Sequence, residues 1–457
     1  MNSSSFCIKG HFVDTPTLGR IRLRTNHILV IEDGKIKNIV DSKGSDASSF
    51  KNVIDYSTNP NTNEIQFIFP GFVDTHCHAS QYPNIGIFGN TTLLDWLNKY
   101  TFPLENELTS NLEKAKLVYK NAINKTLNNG TTTIAYYATI GKKSTELLAK
   151  LCLEMGQRAF VGKVCMDVNA PDYYSETHFE CIQDLIMSIR DMNRKYHKDK
   201  FVEPILTPRF APVVSKETMR SLGNLSAVHD VPIQTHLSES FNEIELVMET
   251  FPECDNYTDV YNRYGLLTDK TVLAHCIHLS EEEATLINEK QAGVSHCPVS
   301  NSSITSGECR VRWLLEKGIK VSLGTDMSGG YSPSILKTAR QGLLVSRHVA
   351  MKTSDEVGDK DKLTTNEVLY LATKGGAEVL NIESKIGTFD IGKSFDAQLI
   401  HIGDNTNVDL FERQVPLEDI DNESVFMEKW QDVIDKWVFL GDDRETKHVW
   451  VDGLRVK

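Results

Sequence analysis

Short apolar runs separated by amphipathic stretches organise this chain. Eight such runs, IQFIFPGFV, TTTIAYYA, RAFVGKV, EPILTPR, VPIQTH, TVLAH, AGVSH and IKVSLGT, occupy its middle. Near-continuous hydrophobicity over so few residues reads as strands buried on both faces. Between them lie helical patterns. In SETHFECIQDLIMSIRDMN, the set Phe179, Ile182, Leu185, Ile186, Ile189 and Met192 recurs at three- and four-residue steps. Alternating strands and helices predict an α/β fold with a parallel, helix-covered sheet. Eight is the number that closes a (β/α)8, TIM-like barrel.

The two ends differ in style. FCIKGHFVD, IRLRTNHILVIEDG and KIKNIVD at one end, and DAQLIHIGD and HVWVDGLRVK at the other, read as short strands broken by Gly and Asp. SKGSDASSF, YSTNPNTNE and TSDEVGDKDK (353–362) read as loops. The expected division is therefore a small β-sandwich, formed by N-terminal residues 1–66 and C-terminal strands in 386–457, around a metal-dependent barrel over 67–385.

Charge narrows the partners. Lys plus Arg number 49 and Asp plus Glu 62, a net −13 with no basic tract, which argues against polynucleotide binding and leaves free nucleobases open. No run approaches the roughly 18 apolar residues of a membrane span, so no membrane partner is expected. MNSSSFCIKGHFVD lacks the pattern of a secretory signal. Nine cysteines without a C-x-x-C pair suit reduced thiols, hence a cytoplasmic location.

In a barrel the reactive groups belong where strands end. The first run ends in His76-Cys77-His78, whose alternation sends both imidazoles to one side and Cys77 to the other. The fourth ends in Thr207-Pro208-Arg209-Phe210, the fifth in His236-Leu237-Ser238-Glu239, the sixth at His275 and the eighth at Asp326. Imidazoles plus a carboxylate suit zinc, whose open position would hold a water with its pKa lowered to about 7. Glu239, three residues past His236, is placed to carry protons beside the metal without ligating it. Alone, His275 is an ordinary buried histidine, Asp326 a turn residue or helix cap and Arg209 an ion-pair partner. Their recurrence at successive strand ends makes that coincidence improbable. His278 and His296 are read as wall or surface residues. Two motifs mislead. Gly387-Thr-Phe-Asp-Ile-Gly392-Lys393-Ser394 has phosphate-loop spacing but precedes a strand, not a helix. His178-Phe-Glu180 lacks the P-C-x-x-C that would complete a Cys-ligated deaminase site.

With these residues in view, the chain resembles the amidohydrolase superfamily over nearly its whole length. PGFVDTHCHASQYP (70–83), LTPRF (206–210), THLSE (235–239), LAHCIHL (273–279), SHCPVSNSSITSG (295–307) and LGTDMSGGYS (323–332) carry the resemblance. HASQYP, DWLNKYTFP and VGKVCMD are similar to its guanine deaminase branch. The resemblance implies a hydrolase that converts guanine to xanthine and ammonia, within purine catabolism or salvage. It implies zinc on His76, His78, His236 and Asp326, with hydroxide generated there as the nucleophile. Asp326 would take a proton from the water, Glu239 would shuttle protons to the ring nitrogen and the departing ammonia, and His275 would stabilise developing charge. The purine would meet His78, Gln81, Arg209, Phe210, His236, Glu239 and Asp326, with Gln81 and Arg209 reading its edge and Trp96, Phe102 or Phe210 stacking on it. Thr207-Pro208-Arg209 stands where two-metal relatives carry a lysine, so one zinc per chain is implied. A homodimer is implied too. The barrel ligands by themselves also suit a modified adenine, an adenosine derivative or a triazine, and another divalent ion such as iron. A catalytically dead binding protein would have lost one of the named groups.

Overall fold

The computed structural model describes residues 5–42, 52–58, 64–89, 93–176, 182–353, 360–411 and 422–457. The first four barrel strands, Phe72–His78, Thr131–Tyr137, Arg158–Gly162 and Val202–Pro204, pair in parallel in that order. The fifth to eighth, Ile233–Leu237, Thr271–His275, Gly293–His296 and Lys320–Leu323, form a second four-stranded parallel sheet. Backbone contacts cross both seams: Leu206 bridges Ile233 in parallel, and Asp326 N donates to His76 O at 2.8 Å. The fold is TIM-barrel-like.

Three of the apolar runs break. IQFIFPGFV is two strands: Ile65–Pro70 belongs to the sheet of the chain ends, so the expected boundary at 66 falls inside it, and Phe72–His78 begins the barrel. The break is at Gly71, where a Cβ would lie 2.2 Å from the Thr132 side chain. RAFVGKV continues after Gly162 as Val164–Cys165, and EPILTPR resumes at Thr207–Pro208, these two short pieces pairing with each other. Pro204 and Pro208 have no N–H to donate, which interrupts the fourth strand's ladder.

The ends of the chain do touch. Ala397–Ile402 pairs antiparallel with both Ile65–Pro70 and Thr446–Val451. Where two sheets of a sandwich were expected, hydrogen bonds link all eight strands of the ends into one, which runs on through Phe6–Thr17 and Arg20–Glu32 to Lys35–Asp41. The Phe395 ring meets Phe6 at 6.2 Å and Trp450 at 5.7 Å between centroids. The C-terminal segment also holds a helix, Glu423–Leu440, where only strands were expected. Its buried Trp430, Val433, Ile434, Trp437 and Val438 share one face. Trp437 packs on Phe67 and Phe69 and stacks on Phe72 at 6.0 Å.

The helix after the third apolar run spans Ile182–Lys195; Phe179 and the His178-Phe-Glu180 motif lie outside the described residues. The phosphate-loop look-alike is a turn packed on the sheet of the ends, with Phe389 N donating to Asp14 and Gly392 N to Ile36 O at 2.8 Å each. Lys393 Nζ donates to Thr388 Oγ1 at 2.6 Å, and the chain then enters the strand Ala397–Ile402. Among the described residues no helix is long and apolar enough to cross a membrane. The described cysteines are all free thiols.

Arg158, on the third barrel strand, clamps the barrel to the sheet of the ends. Its Nη2 and Nε donate to Asp396 Oδ1 and Oδ2 at 3.2 and 3.3 Å, with both side chains buried. Asp396→Ala strands that cation, so a stability loss of about 3 kcal/mol is expected in urea unfolding. An unchanged midpoint would mean that Asp452, 3.8 Å from Arg158, suffices as its partner.

Candidate active site

The residues singled out at the strand ends come together. His78, Gln81, Arg209, Phe210, His236, Glu239, His275 and Asp326 line one cavity, and His76 sits just behind His78, their rings 5.0 Å apart. Cys77 faces away into a separate core cluster, as the alternation of a strand demands. The first strand's end is bolted to the segment after the eighth: Asp326 N donates to His76 O at 2.8 Å and His78 N to Met327 O at 3.1 Å. Beneath them Asp74 accepts from Thr325 N at 3.0 Å and Thr325 Oγ1 at 2.5 Å, and burial raises its carboxyl to about 7. His275 and Asp326 turn out of their strands with φ of 72° and 44°, a left-handed geometry that costs a non-glycine residue about 1–3 kcal/mol and so marks a constrained site.

Four donors converge here. Asp326 Oδ1 lies 3.2 Å from His76 Nε2 and 3.3 Å from His78 Nε2. His236 Nδ1 is taken up by Arg209 O at 2.6 Å, which leaves Nε2 facing the cavity. Ring nitrogens of His76, His78 and His236 lie within 4.8 Å of one another, and the buried His76 Nε2 has no hydrogen-bond partner. Burial lowers His76 to about 4 and holds His236 well below its ordinary value, so both are neutral, the form a metal needs. The set fits a borderline-soft divalent ion such as zinc. His76, His275 and Cys297 also cluster, but burial pushes the Cys297 thiol far up, which keeps it a protonated and poor ligand.

Glu239 stands outside the ligand group. Its Oε1 accepts from Ser306 Oγ at 3.0 Å, and its Oε2 lies 3.5 Å from His275 Nε2. Burial raises its carboxyl to about 7, against the pull of His275, so it can hold or release a proton near neutrality. Its backbone is fixed by Glu243, whose carboxylate accepts from Glu239 N at 2.8 Å and from Tyr257 Oη at 2.9 Å. His275 Nδ1 meets Asn301 Oδ1 at 2.8 Å, which aims Nε2 at Glu239 and at Asp326 Oδ2, 3.8 Å away. Burial disfavours a charged His275, but the Glu239 and Asp326 carboxylates outweigh it and raise the imidazole.

Gln81 and Arg209 also line this cavity, as do Trp96 and Phe210. Phe102, another stacking candidate, lies over the Arg209 guanidinium at 5.0 Å and not on the cavity wall. His278 is half-buried and bonds Ser306 O at 2.8 Å; His296, expected on the wall or the surface, is instead fully buried outside the cavity. Sequence reasoning missed Glu105 and Asn301. Glu105 stood two residues past the family-like DWLNKYTFP and Asn301 inside SHCPVSNSSITSG, but spacing alone gave them no distinct role.

The Amidohydrolase family matches residues 67–456. A probable guanine deaminase of Schizosaccharomyces pombe is 42% identical over 98% of this chain and 82% of its own length. The guanine deaminase of Dictyostelium discoideum is 40% identical over 98% and 97%. A crystal structure of guanine deaminase from C. acetobutylicum, with guanine bound in its active site, superposes with a TM-score of 0.84 at 34% identity, covering 99% of this chain and 100% of that one. The chain belongs to the amidohydrolase family, as a hydrolase of its guanine deaminase branch.

Proposed function

We propose that this protein hydrolyses guanine to xanthine and ammonia. The observation that carries the reading is one cavity that brings together a metal-ligand set, a titratable carboxyl, and an amide and guanidinium held by one carboxylate. Similarity to guanine deaminases, one of them holding guanine, supports the same substrate.

His76, His78, His236 and Asp326 would hold one zinc ion per chain. Zinc bound there supplies the Lewis acidity that lowers the pKa of water towards about 7. Gln81 and Arg209 bind the lactam edge of the base, because their N–H groups match a carbonyl oxygen and ring nitrogens. Phe210 and Trp96 cover the ring and keep bulk water out. With C2 so presented, Asp326 takes a proton from the attacking water and Glu239 delivers one to N3. His275, held by Asn301, steadies charge that develops at C2. Glu239, now a carboxylate, takes the proton of the new C2 hydroxyl and hands it to the amino nitrogen, the C2–N bond breaks, and ammonia leaves with xanthine behind; the proton held by Asp326 then passes to Glu239 and restores both groups.

With this reading go a homodimer, a place in purine catabolism and a cytoplasmic location, the last supported by the free thiols. A closed barrel that begins at Phe72, and one β-module built from both chain ends, complete the proposal, supported by the contacts at both seams and the pairing of Ala397–Ile402 with Ile65–Pro70.

The test is ammonia release from guanine by purified, zinc-loaded protein, with xanthine identified as product. Turnover of about 1–10³ per second is expected. Zinc-loaded protein that is silent on guanine would overturn the substrate and send the question to other aminated heterocycles.

A further inference from the structure

The excursion after the first barrel strand carries the helix Phe102–Ser110. Two of its residues, one turn apart, meet the same guanidinium. The Phe102 ring lies 5.0 Å from Arg209 Cζ, while Glu105 accepts from Arg209 Nη1 at 2.7 Å and Nη2 at 3.4 Å. Glu105 is fully buried. Its carboxylate also accepts from Gln81 Nε2 at 2.9 Å and from Tyr174 Oη at 2.8 Å. One carboxylate thus gathers both side chains that face the base, without lining the cavity itself.

A buried ion pair is expensive to assemble, and its worth lies more in specifying one arrangement than in stability. Here the specified object is a recognition edge. An unanchored glutamine can present either end of its amide to a ligand. Because Glu105 accepts only, it holds the Gln81 amine and turns Oε1 towards Ser328, whose N and Oγ stand 3.5 Å away. Arg209 is pinned in plane between Phe102 and Glu105, which leaves its remaining N–H groups directed by the same anchor.

We propose that Glu105 is a positioning residue for base recognition. It sets Gln81 and Arg209 as one unit, so that the cavity favours a base with a lactam, a carbonyl beside a ring N–H, over one without. The proposal deepens the reading of guanine as substrate and rests on it.

The experiment uses zinc-loaded full-length protein and Glu105→Gln, with calorimetric binding of hypoxanthine, which has the lactam but no amino group to lose, against purine, which lacks the lactam. Glu105→Gln is expected to weaken hypoxanthine at least about tenfold and purine by less than about threefold, since a misaligned polar edge harms only the ligand it reads. In parallel, KM for guanine should rise at least about tenfold while kcat changes less than about threefold. Glu105→Asp keeps the charge and should recover part of the loss. It also carries the test if Glu105→Gln does not fold. Equal weakening of both ligands, no weakening of hypoxanthine, or a fall in kcat alone would overturn the proposal. Wild-type protein that prefers hypoxanthine yet releases no ammonia from guanine would overturn the reaction and leave Glu105 to be judged on binding; wild type without that preference would overturn the positioning role.

Discussion

Glu239→Gln is expected to keep its full complement of zinc and to lose about 10²–10⁴ in kcat, the range for a positioned general acid and base. The side chain keeps its shape and can still accept from Ser306, but an amide cannot take a proton and give it back. Metal content measured by plasma mass spectrometry should match wild type, because Glu239 stands outside the His76, His78 and His236 group. A second readout separates its roles. Burial raises the Glu239 carboxyl from 4.5 to about 7, so the folded state holds its proton more tightly than the unfolded chain. The sign follows: that contribution is present below pH 4.5 and is lost as pH rises through 7. In metal-free protein, Glu239→Gln should therefore gain stability over wild type from pH 5 to pH 8, by on the order of 3 kcal/mol at most. Near-normal turnover would remove Glu239 from the proton path, whatever the stability shows.

Much of this site could be read from the chain because its chemistry obeys local rules. His76 and His78 share a side since strands alternate, and His236, His275 and Asp326 stand where strands end. What stayed hidden depends on long-range contact. Glu105 is 104 positions from Arg209, and on its helix it looks like any solvated glutamate. Asn301 acts 26 positions beyond His275, in the short helix Pro298–Ser303, whose only local sign is proline at its start. Phe102 reads as an aromatic that could stack on a base, and only the packing sends it to Arg209.

The fold's surprises had signals that went the other way. Pro70-Gly71 punctuates the first apolar run, and the structure breaks there because no Cβ fits beside Thr132. Trp430, Val433, Ile434 and Trp437 keep helical spacing in a stretch otherwise bordered by strands. Continuous hydrophobicity shows that a segment is buried; it does not show which sheet buries it.

Asp326→Asn separates the ligand set from the proton path, and its expected effect is as large. The carboxylate is the one anion among the converging imidazoles, with Oδ1 near His76 and His78 and Oδ2 towards His275. Burial alone would push its proton affinity up, but the His76 and His78 contacts hold it well below the ordinary carboxylate range. Asparagine preserves the shape and offers a weaker oxygen ligand, but it cannot accept a proton. Zinc affinity should fall about 10–100-fold and kcat at saturating zinc by at least about 10³-fold, because proton acceptance is lost even where the metal is restored. Competition with a chelator reads the first quantity and turnover in excess zinc reads the second. If excess zinc restores the rate, Asp326 serves only to hold the ion. If the affinity is unchanged and the rate still collapses, His76, His78 and His236 hold the ion without it and Asp326 is the water's proton acceptor. The mixed result, both quantities falling, is the one a carboxylate facing three imidazoles should give, since the same lone pairs that bind a cation accept the proton.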